Sequence, residues 1–98
     1  MIGGEMKTRV INIKSGEHYD VLIDRRTKWG NPFILGKDGD RDEVCDKYEG
    51  YIRHGRGKWL LDHLDELEGK VLGCHCKPLR CHGDTLVKLL EERSEKSQ

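Results

Sequence analysis

The sequence predicts a small α/β protein with a single domain over residues 1–98, in which a short, mostly parallel sheet packs with helices in two or three layers. Three observations favour this class. Segments rich in β-branched residues alternate with amphipathic helical segments, glycine and proline residues separate them, and a chain of 98 residues has room for one modest core. The unpatterned ends, residues 1–8 and 94–98, are expected to be flexible tails.

The first half of the chain predicts two strands followed by a long loop. Residues 9–14 and 18–23 are rich in β-branched side chains, and a turn at Ser15 and Gly16 separates them. The polar segment that follows cannot continue as a helix through Pro32, because proline lacks an amide proton and disfavours α geometry in the residue before it. We therefore expect a loop between the second strand and the first helix.

The second half predicts three helices and one further strand. Asp40 is a favourable N-cap for a helix over residues 41–54, whose apolar side chains fall on one face and include Cys45. Cys45 is therefore predicted to lie in the core. Three elements follow: a helix from about Trp59 to Gly69, a central and buried strand over residues 70–74, and a last helix over residues 84–93.

Charge and composition limit the partners of the protein. The 18 basic and 18 acidic side chains cancel, so no global field would draw the chain onto DNA or an anionic membrane. No apolar stretch is long enough for a membrane span or an export signal, so we expect a cytoplasmic protein without a membrane partner. In that compartment, the four cysteines are expected to be free thiols or metal ligands.

The most unusual segment is residues 73–84, which contains three of the four cysteines and two of the five histidines. It joins the predicted third strand to the last helix, and turns of this kind hold ligands in open α/β sheets. Cys74 and Cys76 are predicted to point to one side of the strand. Cys81 and His82 lie near the start of the helix, where the macrodipole and free amides stabilise a thiolate or an anion.

Four residues of this segment are candidates for catalysis. A thiolate or the imidazole would act on a ligand, and Asp84 would cap the helix or accept a hydrogen bond from His82 or from a sugar hydroxyl. Gly83 would let the backbone approach the ligand closely. The predicted catalytic residues are Cys74, Cys81, His82 and Asp84.

Two motifs occur in a characteristic order. A Trp-Gly-Asn-Pro-Phe stretch at residues 29–33 precedes a Cys-x-Cys-x-Pro-x-x-Cys-His-Gly-Asp motif at residues 74–84. Residues 9–90 resemble the domain of unknown function 4326 family of phages, bacteria and archaea. The resemblance rests on these two motifs and on Arg25, Lys28 and Arg41. The resemblance implies a Rossmann-like α/β fold and no established activity. The chain departs from the usual family pattern at three positions: Asp24, Arg26 and His75.

The loop before the first helix supplies the cationic side of the predicted site. Arg25, Lys28 and Arg41 would bind phosphate or carboxylate, and an arginine fork does so with two parallel hydrogen bonds. A ring of the ligand would stack on Trp29 or Phe33, unless these two are core anchors and the arginines pair with acidic side chains. The predicted ligand-binding residues are Arg25, Lys28, Trp29, Asn31, Arg41 and Gly83.

The two segments together predict a pocket for a nucleotide-related or other phosphorylated small molecule. Whether the protein is an enzyme stays open, and a thiolate-using transferase or a hydrolase of a glycosidic or phosphoryl bond would suit these residues. No cofactor is predicted. The sequence does not choose the substrate or the oligomeric state.

Three other interpretations stay open. Cys74, Cys76, Cys81 and His82 include the ligand types of a zinc site or an iron–sulfur cluster, although their spacing differs from the usual Cys-x2-Cys pairs. A short basic segment over residues 53–58 is compatible with a nucleic-acid-associated module, but the balanced net charge argues against it. A structural or interaction module would use neither the thiols nor the arginines for catalysis.

Overall fold

The central strand of the sheet determines where the candidate site lies. The computed structural model describes residues 7–96, without the side chains of residues 94–96. Three strands, β1 (Arg9–Asn12), β2 (Val21–Leu22) and β3 (Val71–Cys74), form one parallel sheet in the order β1-β3-β2. The predicted central position of the third strand is confirmed. Because the strands are parallel, their carboxyl ends meet at one edge of the sheet.

Two α-helices pack with this sheet. α1 (Arg41–His54) begins after Asp40, whose carboxylate accepts a hydrogen bond from the Glu43 amide while the Glu43 carboxylate accepts one from the Asp40 amide. This reciprocal capping box confirms the predicted start of the helix. α2 (His82–Lys96) packs against α1 and β1. Cys45 is buried on α1, as predicted.

Both faces of β3 are covered, and all four of its residues are buried. Leu72 and Cys74 belong to the main apolar cluster, together with side chains of both helices. On the opposite face, a Cβ atom at Gly73 would lie 2.8 Å from Ile13 Cγ2 and 2.9 Å from Tyr19 Cγ. The connection between β1 and β2 therefore lies directly against Gly73, where a larger residue would not fit. Such double burial explains why this strand is a continuous apolar run.

The strands are shorter than predicted. β1 ends at Asn12 and a 3-10 turn (Ile13–Ser15) follows, because the Asn12 side chain accepts a hydrogen bond from the Lys14 amide. β2 contains only two residues. Cys76 lies in the bend after β3, so the prediction that it shares a strand face with Cys74 is wrong.

The helical boundaries also differ in two places. The segment predicted as a helix from Trp59 to Gly69 is a 3-10 helix (Lys58–Glu66), as in the hydrogen bond from the Leu60 amide to the Gly57 carbonyl oxygen. α2 begins at His82 rather than Asp84, because Asp84 accepts a hydrogen bond from the Cys81 amide and therefore lies inside the first turn.

The predicted tails fall partly outside the described residues, which exclude 1–6 and 97–98. Thr8 was assigned to the N-terminal tail, but its hydroxyl donates to the Leu67 carbonyl oxygen at 2.9 Å and accepts from the Gly69 amide at 2.8 Å. At the other end, α2 continues to Lys96. Within residues 7–96, no helix combines the length and the apolarity of a membrane span. The fold is mixed α/β with a short parallel sheet, and the Rossmann-like assignment stays a prediction.

Candidate functional site

A cavity of about 360 Å³ lies beyond the carboxyl ends of β2 and β3. Its volume falls within the range of small-molecule sites, roughly 300–1,000 Å³. The loop after β2, the start of α1, the turn after β3 and the start of α2 all contribute to its wall, and so do all four cysteines of the chain. Six of the predicted site residues line it: Arg25, Asn31, Arg41, Cys74, Cys81 and His82.

Cys74 ends β3 and lies at the floor of the cavity, where it is only 1% exposed. Its thiol is influenced by the Cys81 thiol, by the backbone amides of Lys77 and Cys76 and by the positive charge of Lys77. These influences, of which that of Cys81 is the strongest, outweigh burial and lower the pKa of the Cys74 thiol to about 6. These surroundings favour the thiolate form of Cys74.

Cys81 occupies the N-cap position of α2. Its sulfur accepts a hydrogen bond from the Gly83 amide at 3.3 Å, and its own amide donates to the Asp84 carboxylate at 3.1 Å. This reciprocal arrangement has the form of a capping box with a thiol in place of the usual hydroxyl. The influence of Cys74, reinforced by burial, raises the pKa of Cys81. Cys81 is therefore the protonated member of the pair.

His82 is a buried, neutral imidazole with a defined tautomer. Nε2 lies 2.6 Å from the carbonyl oxygen of Ile23, which can only accept, so Nε2 carries the proton. The other nitrogen, Nδ1, is 3.9 Å from Cys81 Sγ. The Tyr48 ring packs edge-on at 4.9 Å between centroids and fixes the orientation of the imidazole. Burial is the main cause that lowers the pKa of His82.

Arg25 and Arg41 form a cationic wall. Arg25 donates from Nε to the Asn31 carbonyl oxygen at 3.1 Å and from Nη2 to that of Phe33 at 3.3 Å. Arg41 donates from Nη1 to the carbonyl oxygen of Arg80 at 3.2 Å. Among residues 7–96, neither guanidinium group forms an ion pair with a carboxylate. Two positive charges therefore line the cavity without neutralisation by a described acidic side chain.

Comparison with known proteins assigns a family and gives no activity. Residues 8–92 match the model of a family described as a domain of unknown function, DUF4326. The chain belongs to this family. An uncharacterised 12.4 kDa protein from the nrdA-td intergenic region of Enterobacteria phage T4 is 40% identical over 85 residues, which cover 84% of this chain and 76% of that protein. The membership predicted from the two motifs is thus confirmed.

A second relative is more distant. An uncharacterised protein of Acanthamoeba polyphaga mimivirus is 35% identical over 71 residues, which cover 64% of this chain and 52% of the viral protein. The chain therefore spans about half of that relative. No solved structure is a significant match.

Other predicted ligand-binding residues of this DUF4326 domain lie away from the cavity wall. Lys28 Nζ forms an ion pair with Glu66 at 2.7 Å. Trp29 is 2% exposed within the core, and its carbonyl oxygen accepts a hydrogen bond from the Tyr48 hydroxyl at 2.8 Å. Both residues therefore have structural contacts: Lys28 connects the loop to the 3-10 helix, and Trp29 anchors the loop in the core.

Gly83 and Asp84 also lie outside the cavity lining. A Cβ atom at Gly83 would lie 2.7 Å from Ile23 Cδ1 and 3.0 Å from both Cγ atoms of Val10, so this glycine lets α2 approach the sheet. Asp84 accepts from the Cys81 amide and forms an ion pair with Lys77. Asp84 therefore fixes the start of α2 and the turn that precedes it.

Sequence reasoning missed an acid–imidazole pair that lines the cavity. Asp24 Oδ2 lies 2.9 Å from His75 Nε2 and accepts a hydrogen bond from Arg26 Nη2 at 2.6 Å. The hydrogen bond from Arg26, with a smaller contribution from His75, holds the pKa of the Asp24 carboxyl well below its usual range. A signal was available, because Asp24 and His75 both follow the carboxyl ends of neighbouring strands.

Phe33 and Arg80 also line the cavity. Phe33 is therefore positioned for contact with a ligand ring where Trp29 is not. Arg80 forms ion pairs with Asp42 at 3.0 Å and Asp46 at 2.8 Å, so acidic groups offset its charge.

The residues of two alternative interpretations, the metal site and the nucleic-acid-associated module, have different surroundings in the structure. Within residues 7–96, no group of three or more Cys, His, Asp or Glu side chains is arranged to hold a metal ion, and the four cysteines are free thiols. In the basic segment proposed for nucleic acid, Arg53 forms ion pairs with Glu49 at 2.7 Å and Glu92 at 2.8 Å. The arginine with the deepest burial in that segment is thus engaged with acidic side chains.

Proposed function

We propose that the cavity binds a phosphorylated, nucleotide-related small molecule and that the Cys74 thiolate acts on it. The observation that carries this proposal is the convergence of two unneutralised guanidinium groups and a low-pKa thiol on one cavity. In a Rossmann-like arrangement, ligands bind beyond the carboxyl ends of the strands, which is where this cavity lies. A cytoplasmic location, in which thiols stay reduced, belongs to the same proposal.

The phosphate would bind to Arg25 and Arg41. A guanidinium group has five N–H donors, and backbone carbonyl oxygens engage two of them in Arg25 and one in Arg41. The engaged donors hold each side chain in place, and the remaining donors are available to phosphate oxygens. Because this orientation exists before binding, less conformational entropy is lost when the ligand arrives.

The ring of the ligand would contact Phe33. The Phe33 ring packs edge-on against Tyr51 at 6.2 Å between centroids, and Lys47 Nζ lies 5.9 Å from the Phe33 centroid. These neighbours restrain the ring while it lines the cavity. Phe33 thereby replaces Trp29 as the stacking residue in this proposal.

The Cys74 thiolate would attack an electrophilic carbon or phosphorus atom of the bound molecule, as in a transferase or hydrolase with a covalent intermediate. His75 is the candidate for proton transfer to the leaving group, because it lines the same cavity and Asp24 orients its ring. The neutral His82 donates a hydrogen bond to the Ile23 carbonyl oxygen, and its other ring nitrogen lies near the Cys81 sulfur.

We expect substitution of either wall arginine to weaken anion binding. Arg25→Gln and Arg41→Gln each remove charge-assisted hydrogen bonds worth about 1.5–3 kcal/mol, which corresponds to roughly 10-fold to 100-fold weaker binding. Titrations with inorganic phosphate and with ADP, followed by NMR chemical shifts, measure this loss. Arg56→Gln is the matched control, because Arg56 is exposed and lies outside the cavity lining, beyond the far end of α1.

The control fixes the interpretation of that experiment. Arg56→Gln should bind both probes as the unmodified protein does. Equal weakening in all three variants would indicate a diffuse surface effect and contradict the proposal. Failure of the unmodified protein to bind either probe at millimolar concentration would also contradict it.

A further inference from the structure

A carboxylate oxygen in the cavity wall still has room for a hydrogen-bond donor. We propose that the Asp24 carboxylate accepts a hydrogen bond from a sugar hydroxyl of the bound molecule, so that the site prefers a ribose phosphate to its deoxy counterpart. This inference rests on the proposed function and names the class of ligand, which is either a ribonucleotide or a free sugar phosphate. It assigns a specificity-determining residue and involves no thiol.

Side-chain oxygens are rare in the wall of the cavity. Among the described residues that line it, only Asp24 and Asn31 carry one. The Asn31 side chain already holds the loop together, because its nitrogen donates to the Val44 carbonyl oxygen at 3.1 Å and its oxygen accepts from the Phe33 amide at 2.9 Å. Asp24 therefore carries the only ionised oxygen of the lining, and hydrogen bonds to ionised oxygens are the stronger ones.

Asp24 is held as an anion by its neighbour. Arg26 donates to Oδ2 from Nε at 2.9 Å and from Nη2 at 2.6 Å, and its backbone amide donates to Oδ1 at 2.9 Å. The hydrogen bond from the Arg26 side chain is the main cause that keeps the pKa of this carboxyl well below its usual range. An ionised carboxylate can only accept hydrogen bonds, and a hydroxyl group supplies a donor.

The two oxygens of Asp24 differ in the number of donors that they already receive. Each carboxylate oxygen has about two lone-pair sites. Oδ2 receives both Arg26 side-chain donors and lies 2.9 Å from His75 Nε2, so it is saturated. Within residues 7–96, Oδ1 receives only the Arg26 amide. Oδ1 therefore keeps one lone pair for a ligand.

Asp24 and Arg25 provide an acceptor and a cation side by side. They are consecutive residues after β2, so their Cα atoms lie about 3.8 Å apart, and both residues line the cavity. A molecule whose phosphate binds to Arg25 therefore brings its nearby hydroxyl groups toward Asp24. The Asp24 side chain is 14% exposed, so a ligand can reach it, and its shielding from water strengthens the hydrogen bond.

This role is compatible with the part that His75 has in the proposed function. Because the Asp24 carboxylate only accepts, His75 Nε2 carries the proton and Nδ1 retains its lone pair. A sugar hydroxyl on Asp24 Oδ1 leaves that lone pair available for proton transfer. The sequence suggested Asp84 as the acceptor of a sugar hydroxyl, but Asp84 lies outside the cavity lining and Asp24 lies within it.

Titration of the full chain with AMP, 2′-deoxy-AMP and 3′-deoxy-AMP tests this inference. NMR chemical shifts measure each dissociation constant. The analogue that lacks the hydroxyl on Asp24 should bind roughly 10-fold more weakly than AMP, which is the typical effect of a hydrogen bond to a charged group. Ribose 5-phosphate separates the two sources. Tighter binding of AMP identifies a nucleotide, and equal binding identifies a free sugar phosphate.

The variant Asp24→Ala should lose this preference, so that AMP and both deoxy analogues bind alike. Inorganic phosphate should bind as tightly as before or more tightly, because a negative charge next to Arg25 is removed. Weaker binding of phosphate would indicate a merely structural role for Asp24 and would overturn the inference. Asp62→Ala is the matched control, because Asp62 is exposed on the 3-10 helix and lies outside the cavity lining. It should keep the preference.

Equal binding of AMP and both deoxy analogues to the unmodified protein would also overturn the inference, and this comparison does not depend on the folding of any variant. A preference that persists in folded Asp24→Ala would have the same consequence. The proposed function survives these results if phosphate still binds through Arg25 and Arg41. If the unmodified protein binds neither phosphate nor AMP, both proposals are contradicted.

Discussion

At pH 6, iodoacetamide that enters the cavity is expected to alkylate Cys74 roughly ten times faster than it would alkylate an ordinary thiol of equal access. With a pKa of about 6, half of the Cys74 population is thiolate at that pH. An ordinary thiol, with a pKa near 8.5, is ionised to less than about 1%. The lower intrinsic nucleophilicity of a more acidic thiolate offsets part of this difference. Peptide mass spectrometry after timed quenching measures the rate at each cysteine.

The pH dependence of the alkylation rate shows whether the pKa of Cys74 is lowered. Because the pKa of Cys74 is lowered, its alkylation rate should rise between about pH 5 and 7 and become constant above that, whereas an ordinary thiol gains rate up to about pH 9–10. Cys74→Ser should remove this early phase, and Cys76→Ser should keep it. A rate at Cys74 that reaches half of its maximum near pH 8.5 would show that the surrounding amides do not stabilise a thiolate.

Trp29→Ala is expected to destabilise the fold by about 3–5 kcal/mol, which is the usual cost of replacing a buried tryptophan with alanine. Trp29 is 2% exposed, and the Tyr48 hydroxyl holds its backbone carbonyl oxygen at 2.8 Å. The substitution leaves a large cavity in the core beneath the loop that carries Arg25. Urea unfolding followed by circular dichroism measures the change in the free energy of unfolding.

Trp59→Ala is the control for that experiment. Trp59 is 50% exposed and packs edge-on against His63 at 5.5 Å, so its loss should cost less than about 1 kcal/mol. If the two substitutions cost the same, Trp29 would not be a core anchor. If Trp29→Ala kept full stability and lost phosphate binding, the original hypothesis of a ligand-stacking tryptophan would regain support.

Local sequence signals predicted some elements correctly because local interactions determine them. The start of α1 depends on a capping box between Asp40 and Glu43, two residues that are close in the sequence. β3 is buried on both faces and carries a continuous apolar run, so it was recognisable as central. By contrast, β2 is only two residues long and follows the polar residue Asp20, so its short extent left no clear apolar pattern in the sequence.

An unusual helix cap and several non-local contacts explain the differences. The start of α2 was misplaced because a thiol, at Cys81, takes the capping role that serine or aspartate usually has. Trp29 looked equally suitable for a pocket or a core, and only the distant Tyr48 decides between them. The roles of Lys28 and Gly83 likewise depend on partners far away in the sequence, Glu66 and Val10.

The candidate site was predictable where strand ends carry unusual residues. The cysteine-histidine turn and the basic loop were found from composition and spacing, and Arg25, Arg41 and Cys74 do line one cavity. Asp24 and His75 were missed, although both follow the ends of strands. Their pairing depends on the position of β2 next to β3, and strand order was not readable from the sequence.

The shared cavity of the arginines and the thiolate is tested most directly by comparing two alkylating reagents at Cys74. Iodoacetate is an anion and iodoacetamide is neutral, but both deliver a similar group. The ratio of the iodoacetate rate to the iodoacetamide rate should be higher in the folded protein than in the urea-unfolded chain, because Arg25 and Arg41 attract the anion. This ratio should fall back in an Arg25→Gln/Arg41→Gln double variant. A folded-state ratio equal to or below that of the unfolded chain would contradict a common site for the guanidinium groups and the thiolate.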